Sequence, residues 1–235
     1  MSGHSKWATI RRKKEKTDAA RGRIFTRLIK EISVAARMGG GDIDTNPRLR
    51  NAVAAAKSAN MPQDNIIRGI KKGTGELPGT VYEELRYEGY GPGGCAILID
   101  TMTDNKNRTL GEIRHLFTKY GGNLAETNAV AYLFDRKAQI ILEPAGKTED
   151  DIIEAALEAG AEDVVGDDDG SFTVVAEPND LESVKESLEA LGVEIISAEV
   201  TMVPKTTVEV AEKHVKSLVK LMEFFEEHDD VQKVY

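Results

Sequence analysis

Apolar residues in the first third of the chain recur at the spacing of an α-helix. Ile24, Leu28 and Ile32 each lie four positions apart, which predicts a helix that begins near Arg21 and turns one apolar face inward. Asn46, followed by a proline, predicts the start of a second helix, because asparagine caps helix N-termini and proline fits the first turn. A third, shorter helix follows the next proline. The pattern predicts three helices, preceded by a polar tail that we expect to be poorly ordered until it binds a partner.

The spacing of apolar residues shortens towards that of β-strands after a glycine- and proline-rich stretch at 73–79. Residues 137–203 follow the order β-α-β-β-α-β, which is the pattern of a ferredoxin-like sandwich. The C-terminal residues carry one further helix and strand. We expect an α+β multidomain protein with two ferredoxin-like α/β sandwich domains, one inserted in the other. Its parts are a basic three-helix domain with its hinge at 1–79, a discontinuous α/β middle domain at 80–136 and 204–235, and the inserted domain at 137–203.

Local patterns add detail to this arrangement. Two separate strands are predicted at 129–134 and 138–142. Thr148 is expected to cap a helix whose third residue is Asp151. The glycine-rich segment 87–94 is interpreted as a tight hairpin rather than a nucleotide-binding loop, because it lies between two strands and no Lys-Ser or Lys-Thr pair follows it.

Charge divides the chain sharply. The first 75 residues carry 17 Lys and Arg against 6 Asp and Glu, whereas the other 160 carry 14 against 34. A basic module of this kind indicates a polyanionic partner, and we expect that partner to be nucleic acid. A solubilising tail is the simpler alternative, but it would not require basic residues on the three following helices. The candidate nucleic-acid-binding residues are Lys6, Trp7, Arg11, Arg12, Lys13, Lys14, Lys16, Arg21, Arg27, Arg48, Arg50, Lys57, Arg68, Lys71 and Lys72.

Composition and motifs argue against other classes of protein. The longest apolar runs have the length of a strand and are too short to span a bilayer, so no membrane partner is expected. Cys95 is the only cysteine, which excludes an intramolecular disulfide and favours a reducing, cytoplasmic location. The histidines are scattered, and we expect no catalytic residue, no metal and no cofactor. The sequence has no heptad seam, and the chain is expected to be a monomer.

One polar cluster stands at a predicted strand-to-helix junction, where functional sites are common. The start of a capped helix is the simpler interpretation, and we favour it. The alternative is that the cluster is a polar functional loop, and its members are Asp104, Asn105, Asn107, Arg108 and Thr109.

Several short blocks of unusual composition run over essentially the whole chain. They lie at 3–7, 46–50, 60–62, 64–66, 87–94, 104–109, 121–124, 202–206 and 228–232. In these blocks the chain resembles the YebC/PmpR family. The resemblance implies a three-domain protein of bacteria or organelles without enzymatic activity. Members are described as DNA-binding transcriptional regulators, and others, mitochondrial relatives among them, as translation factors that act on the ribosome. The resemblance places the nucleic-acid contacts on Lys6, Arg11, Arg12, Lys13, Lys14 and their neighbours.

Three functions from different classes remain open at this point. We predict a nucleic-acid-binding regulatory protein, specifically a DNA-binding transcriptional regulator that uses its basic N-terminal domain. The alternative is a ribosome-associated translation factor that binds rRNA and relieves stalls at proline-rich sequences, with its acidic domains turned away from rRNA phosphate. An enzyme with its site at 104–109 is least favoured. The first two helices are joined by a link with three glycines, which is long for a helix-turn-helix motif.

Overall fold

A computed structural model of the chain describes residues 18–167 and 169–235. In the described part the helices are α1 (Asp18–Gly39), α2 (Pro47–Ser58), α3 (Gln63–Thr74), α4 (Lys106–Lys119), α5 (Glu149–Glu158), α6 (Leu181–Leu191) and α7 (Glu212–Glu227). The strands are β1 (Glu83–Tyr90), β2 (Ala96–Thr103), β3 (Asn123–Leu124), β4 (Phe134–Glu143), β5 (Ala161–Gly166), β6 (Phe172–Ala176), β7 (Glu194–Pro204) and β8 (Val231–Val234). Among the described helices, none combines the length and the apolar character needed to cross a membrane. The predicted α+β fold class is confirmed. The expectation for the tail lies almost entirely outside the described residues.

The three N-terminal helices share one apolar core. Ile32 of α1, Leu49 and Ala56 of α2, and Ile66 of α3 are each at most 1% exposed and belong to the same cluster. The predicted cap is present, because the Asn46 side chain accepts a hydrogen bond from the backbone N–H of Leu49. The helical spacing of apolar residues therefore predicted this packing correctly.

The first sheet has the strand order β3-β1-β2-β8, and every neighbouring pair is antiparallel. Helices α4 and α7 pack against it, and Phe117 and Phe225 meet with ring centroids 4.9 Å apart. Both rings are fully buried with Ile97 and Ile99 of β2. The last strand of this sheet comes from the C-terminus, more than a hundred residues after the other three.

The second sheet has the order β5-β6-β4-β7 and is also antiparallel throughout. Its elements follow one another as β4, α5, β5, β6, α6 and β7, which is the predicted ferredoxin-like order. Helix α5 begins with the predicted capping box, in which Thr148 and Asp151 bond to each other's backbone N–H groups. The core between the second sheet and its helices contains Ile140 and Leu142 of β4 together with Val184 and Leu188 of α6.

The chain forms two compact units. Of the described residues, one unit contains those from Asp18 to Val130 together with Val210–Val234, and the other contains those of Ala131–Glu209 together with Tyr235. The N-terminal helices and the first sheet thus belong to the same unit, and the second sheet forms the other. The exact domain boundaries given above stay a prediction.

One predicted strand is wrong. Residues 129–134 do not form a strand: Ala131–Leu133 is a short 3₁₀ turn, and β4 runs without a break from Phe134 to Glu143. The buried carboxylate of Glu88 accepts the N–H groups of Asn128 and Val130 at 2.7 Å. Because a side chain satisfies these backbone donors, no strand partner is needed there. The edge of the first sheet is formed instead by the short strand β3, which pairs with β1.

Candidate nucleic-acid interface

Four of the candidate basic residues are exposed on α2 and α3. They are Lys57, Arg68, Lys71 and Lys72. Within the described part of the chain, none of these four side chains has an ion-pair partner. Their positive charges are therefore available to a ligand, and a polyanion gains most from such charges because binding it releases counterions.

Other candidates on the helices are already paired within the protein. Arg48 contacts both carboxylate oxygens of Glu31, at 2.7 and 3.0 Å, and it also bonds Glu84. The hydrogen bonds to Glu31 and then Glu84 raise the pKa of Arg48 above its usual range. Arg27 bonds the backbone carbonyl of Glu226 and pairs with its carboxylate at 3.7 Å. Both arginines have internal carboxylates that a phosphate would have to replace.

The remaining candidates divide into exposed residues and residues outside the described part. Arg50 is exposed, and its guanidinium donates hydrogen bonds to the carbonyl groups of Ile43 and Asp44. These two hydrogen bonds fix the turn before α2. Arg21 is exposed near the start of α1. The candidates that lie outside the described residues are Lys6, Trp7, Arg11, Arg12, Lys13, Lys14 and Lys16. Their assignment stays a prediction.

The polar cluster at 104–109 begins helix α4. Asn105 caps it by accepting the backbone N–H of Arg108 at 3.1 Å, which agrees with the favoured interpretation. Asp104 and Asn107 are exposed, and Asp104 pairs with Arg108 at 2.9 Å. Thr109 is fully buried and bonds Asp230 at 2.8 Å. The cluster therefore links the start of α4 to the turn before β8.

Asp230 is the centre of a buried polar network in this unit. Lys30 of α1 donates to its Oδ1 at 2.8 Å, while Arg108 and Thr103 donate to its Oδ2 at 2.7 and 3.1 Å. Burial acts to raise the pKa of this carboxyl group, but the hydrogen bonds from Lys30, Arg108 and Thr109 outweigh it, and the pKa lies well below its usual range. Asp230 is thus charged and held by two cations.

Lys30 has further partners besides Asp230. Its ammonium group donates to the backbone carbonyls of Met102 and Asp229, at 3.2 and 2.8 Å. All three protons of the ammonium group therefore have acceptors, although the residue is only 6% exposed. Because the cation is fully bonded inside the protein, Lys30 is not one of the exposed basic residues.

Glu112, His228 and Asp230 bring three metal-ligating atoms within 4.8 Å of one another. The His228 Nδ1 accepts the backbone N–H of Asp230 at 3.1 Å, so the proton lies on Nε2, which contacts Glu112 at 3.0 Å. A metal ion here would compete with Lys30 and Arg108 for the same carboxylate. The internal ion pairs account for this group without one.

The glycine-rich segment comprises the end of β1 and the turn that leads to β2, as the hairpin interpretation requires. Gly93 and Gly94 have φ values of +85° and +80°, a backbone conformation that glycine adopts without strain. The backbone N–H of Gly91 donates to the Cys95 carbonyl at 2.7 Å. Burial raises the pKa of the Cys95 thiol, as expected for a structural cysteine.

Sequence reasoning missed Lys30 and Asp230. They are separated by 200 positions, and no local spacing relates them. The only available signal was that Asp230 falls in the block at 228–232, which carried part of the family resemblance.

Comparison with known proteins gives a consistent result over the full length. Residues 5–76 match the family model described as the TACO1/YebC protein N-terminal domain, and residues 82–235 match the one described as the TACO1/YebC second and third domain. A probable transcriptional regulatory protein of Desulfotalea psychrophila is 56% identical over 236 residues, with 100% of this chain and 94% of the relative covered. Another of Paraburkholderia xenovorans is 56% identical over 235 residues, with 100% and 97% covered. The crystal structure of the conserved hypothetical protein Aq1575 from Aquifex aeolicus superposes with a TM-score of 0.80 at 48% identity, covering 94% of this chain and 91% of that one.

Proposed function

This chain belongs to the TACO1/YebC family, and from that premise we propose that it is a DNA-binding transcriptional regulator that binds nucleic acid through its basic N-terminal helices. The names of its relatives support a regulatory role. The observation that carries the proposal is that the exposed cations of α2 and α3 have no ion-pair partner among the described residues, because such positive charges are what a phosphate backbone neutralises.

The link between α2 and α3 supports DNA as the ligand. It comprises residues 59–62, a length typical of the turn in a helix-turn-helix motif. The long glycine-rich link noted in the sequence lies before α2, so it does not affect this pair of helices. In such a motif the second helix enters the major groove with its N-terminal residues against the bases. We assign that role to α3.

The first turns of α3 expose side chains that suit base recognition. Gln63 and Arg68 are exposed, and these residue types bond the edges of adenine and guanine respectively. Lys71 lies one turn further along and suits a phosphate contact that positions the helix without reading sequence. This division predicts that Arg68 affects sequence preference, whereas Lys71 affects affinity for all sequences.

Charge reversal with a matched control tests the proposal. One variant carries Lys57→Glu, Arg68→Glu and Lys71→Glu, and the control carries Lys213→Glu, Lys216→Glu and Lys220→Glu on the exposed face of α7. Both variants change the net charge equally. We expect the first to weaken binding to duplex DNA by at least about a hundredfold, since two phosphate contacts and one base contact are lost. Equal weakening by both variants would contradict the proposal.

The alternative ligand is rRNA, and cross-linking in cells separates the two. Ultraviolet irradiation followed by sequencing of the attached nucleic acid should give reads at discrete promoter sites. Reads concentrated on rRNA would replace the DNA proposal by the ribosome-associated translation factor, with the same basic surface as its contact. A cytoplasmic location, a monomeric state and the lack of an enzymatic activity are parts of this proposal.

A further inference from the structure

An open pocket of about 390 Å³ lies among α1, α3 and the segment that leads into β1. Val34 and Arg37 line it from α1, and Lys72 lines it from α3. Leu77, Val81 and Tyr82 contribute from the segment after α3. A volume of this size lies within the range of small-molecule sites in proteins.

The lining has two parts with different chemistry. Leu77, Val81 and Tyr82 offer apolar surface, and Leu77 is 38% and Val81 64% exposed in the folded protein. Arg37 and Lys72 supply the charged side chains of the lining, and both are positive. Apolar side chains left exposed beside two cations indicate a ligand with a flat or apolar body and an anionic group.

The pocket is held in shape before any ligand binds. Arg37 donates a hydrogen bond to the backbone carbonyl of Tyr82 at 2.7 Å, which fixes the segment against α1. The Lys30 ammonium group lies 5.2 Å from the centroid of the Tyr82 ring and restrains it. A Cβ atom on Gly73 would lie 2.4 Å from the Ser33 carbonyl oxygen, so only glycine allows α3 to approach α1 this closely. Such pre-organisation reduces the entropy lost on binding.

We propose that this pocket binds a single unpaired nucleotide. The base lies against Tyr82, Leu77 and Val81, since aromatic and apolar side chains accept any base through its flat face. Lys72 and the guanidinium donors of Arg37 that Tyr82 leaves unused bind the phosphate. The inference rests on the proposed function, because the unpaired nucleotide adjoins the base-paired stretch that the basic helices bind.

Titration with nucleoside monophosphates tests the pocket in the full chain. Adenosine 5′-monophosphate and its 2′-deoxy form are added separately, and amide ¹⁵N NMR shifts are followed. We expect saturable shifts at residues 75–82, with adenosine alone and inorganic phosphate alone each binding more weakly. A preference between the two probes identifies RNA or DNA as the source of the nucleotide. Shifts that are absent from residues 75–82, or that never saturate, would overturn the proposal.

Two adjacent lysines provide a matched pair of variants. Lys72 lines the pocket and Lys71 does not, although both are exposed residues near the end of α3. Lys72→Met should weaken monophosphate binding about tenfold, since a charge-assisted hydrogen bond is lost, whereas Lys71→Met should change it less than about twofold. Equal effects of the two variants would mean that general attraction, and not the pocket, binds the nucleotide.

A second variant keeps the test independent of the lysines. Val81→Glu places a negative charge in the pocket at an exposed position and should abolish monophosphate binding. Val208→Glu makes the same change at another exposed valine, which is 56% exposed, and should leave binding unchanged.

If the pocket proposal fails while the charge-reversal variant of α2 and α3 still loses duplex binding, the proposed function stands without the pocket. An acidic peptide that competes equally with the monophosphate would also overturn the nucleotide assignment.

Discussion

The ammonium nitrogen of Lys30 lies 2.8 Å from Oδ1 of Asp230, and both residues are less than 10% exposed. The pair joins the middle of α1 to the turn that precedes β8, at the two ends of the chain. Arg108 and the hydroxyl groups of Thr103 and Thr109 donate hydrogen bonds to the other carboxylate oxygen of Asp230. The first sheet and the basic helices are therefore connected by a buried charge network as well as by apolar packing.

Removing the cation from this network should destabilise the protein strongly. In Lys30→Met the carboxylate of Asp230 stays buried with Arg108 as its remaining cation, and breaking a buried pair costs about 3 kcal/mol or more. Urea unfolding followed by circular dichroism measures the change in the free energy of unfolding. Arg86→Met is the matched control, because the Arg86–Asp100 pair is much more exposed and should cost less than about 1 kcal/mol. Comparable losses in the two variants would contradict the role given to Lys30.

The low pKa of Asp230 predicts a defined dependence of stability on pH. A carboxyl group whose pKa is lower in the folded than in the unfolded protein stabilises the fold above its unfolded pKa of about 3.9, and this contribution is lost as the pH falls. The wild-type protein should therefore exceed Asp230→Asn in stability by a constant amount above about pH 5. The difference should shrink progressively below about pH 4. Urea titrations at several pH values measure it, and a difference that grows in acid would contradict the assignment.

Asn46 has a double role that a single substitution can separate. Its Oδ1 caps α2 by accepting the Leu49 N–H, and its Nδ2 donates to the carbonyls of Ala35 and Gly40 at 2.8 Å. Asn46→Asp keeps the cap but places a carboxylate oxygen against two carbonyl oxygens. We expect it to lower the free energy of unfolding by about 2 kcal/mol, since buried acceptors are left unpaired. Thermal unfolding measures the change in stability. A variant as stable as the wild type would contradict the role of the Asn46 side chain as a donor to the two carbonyls.

Much of this fold is predictable from local sequence. Caps such as Asn46 and Thr148 act within three residues of their own position, and helical spacing identifies the core face of α1 without knowledge of any partner. The ferredoxin-like order of the second sheet follows because its elements are consecutive in the chain. These features share one property, which is that the interactions that define them are close in sequence.

The features that the sequence did not predict depend on distant partners. The segment at 129–134 has apolar residues at a strand-like density, yet Glu88, about forty positions earlier, bonds its backbone and prevents a strand. The polar cluster at 104–109 could be recognised as a helix start, but its connection to Asp230 could not. In the same way, the sequence alone could not separate Arg48, which is paired with Glu31, from Lys57, which is exposed.

The salt dependence of duplex DNA binding tests the central claim most directly. If the basic N-terminal region neutralises about five phosphates, log K should fall with log salt at a slope of about −4.5. A variant that adds Arg11→Glu, Arg12→Glu, Lys13→Glu and Lys14→Glu to the charge-reversal variant of α2 and α3 should have a slope much closer to zero. A variant slope equal to that of the wild type would contradict the account, because the nucleic acid would then be bound by another part of the chain.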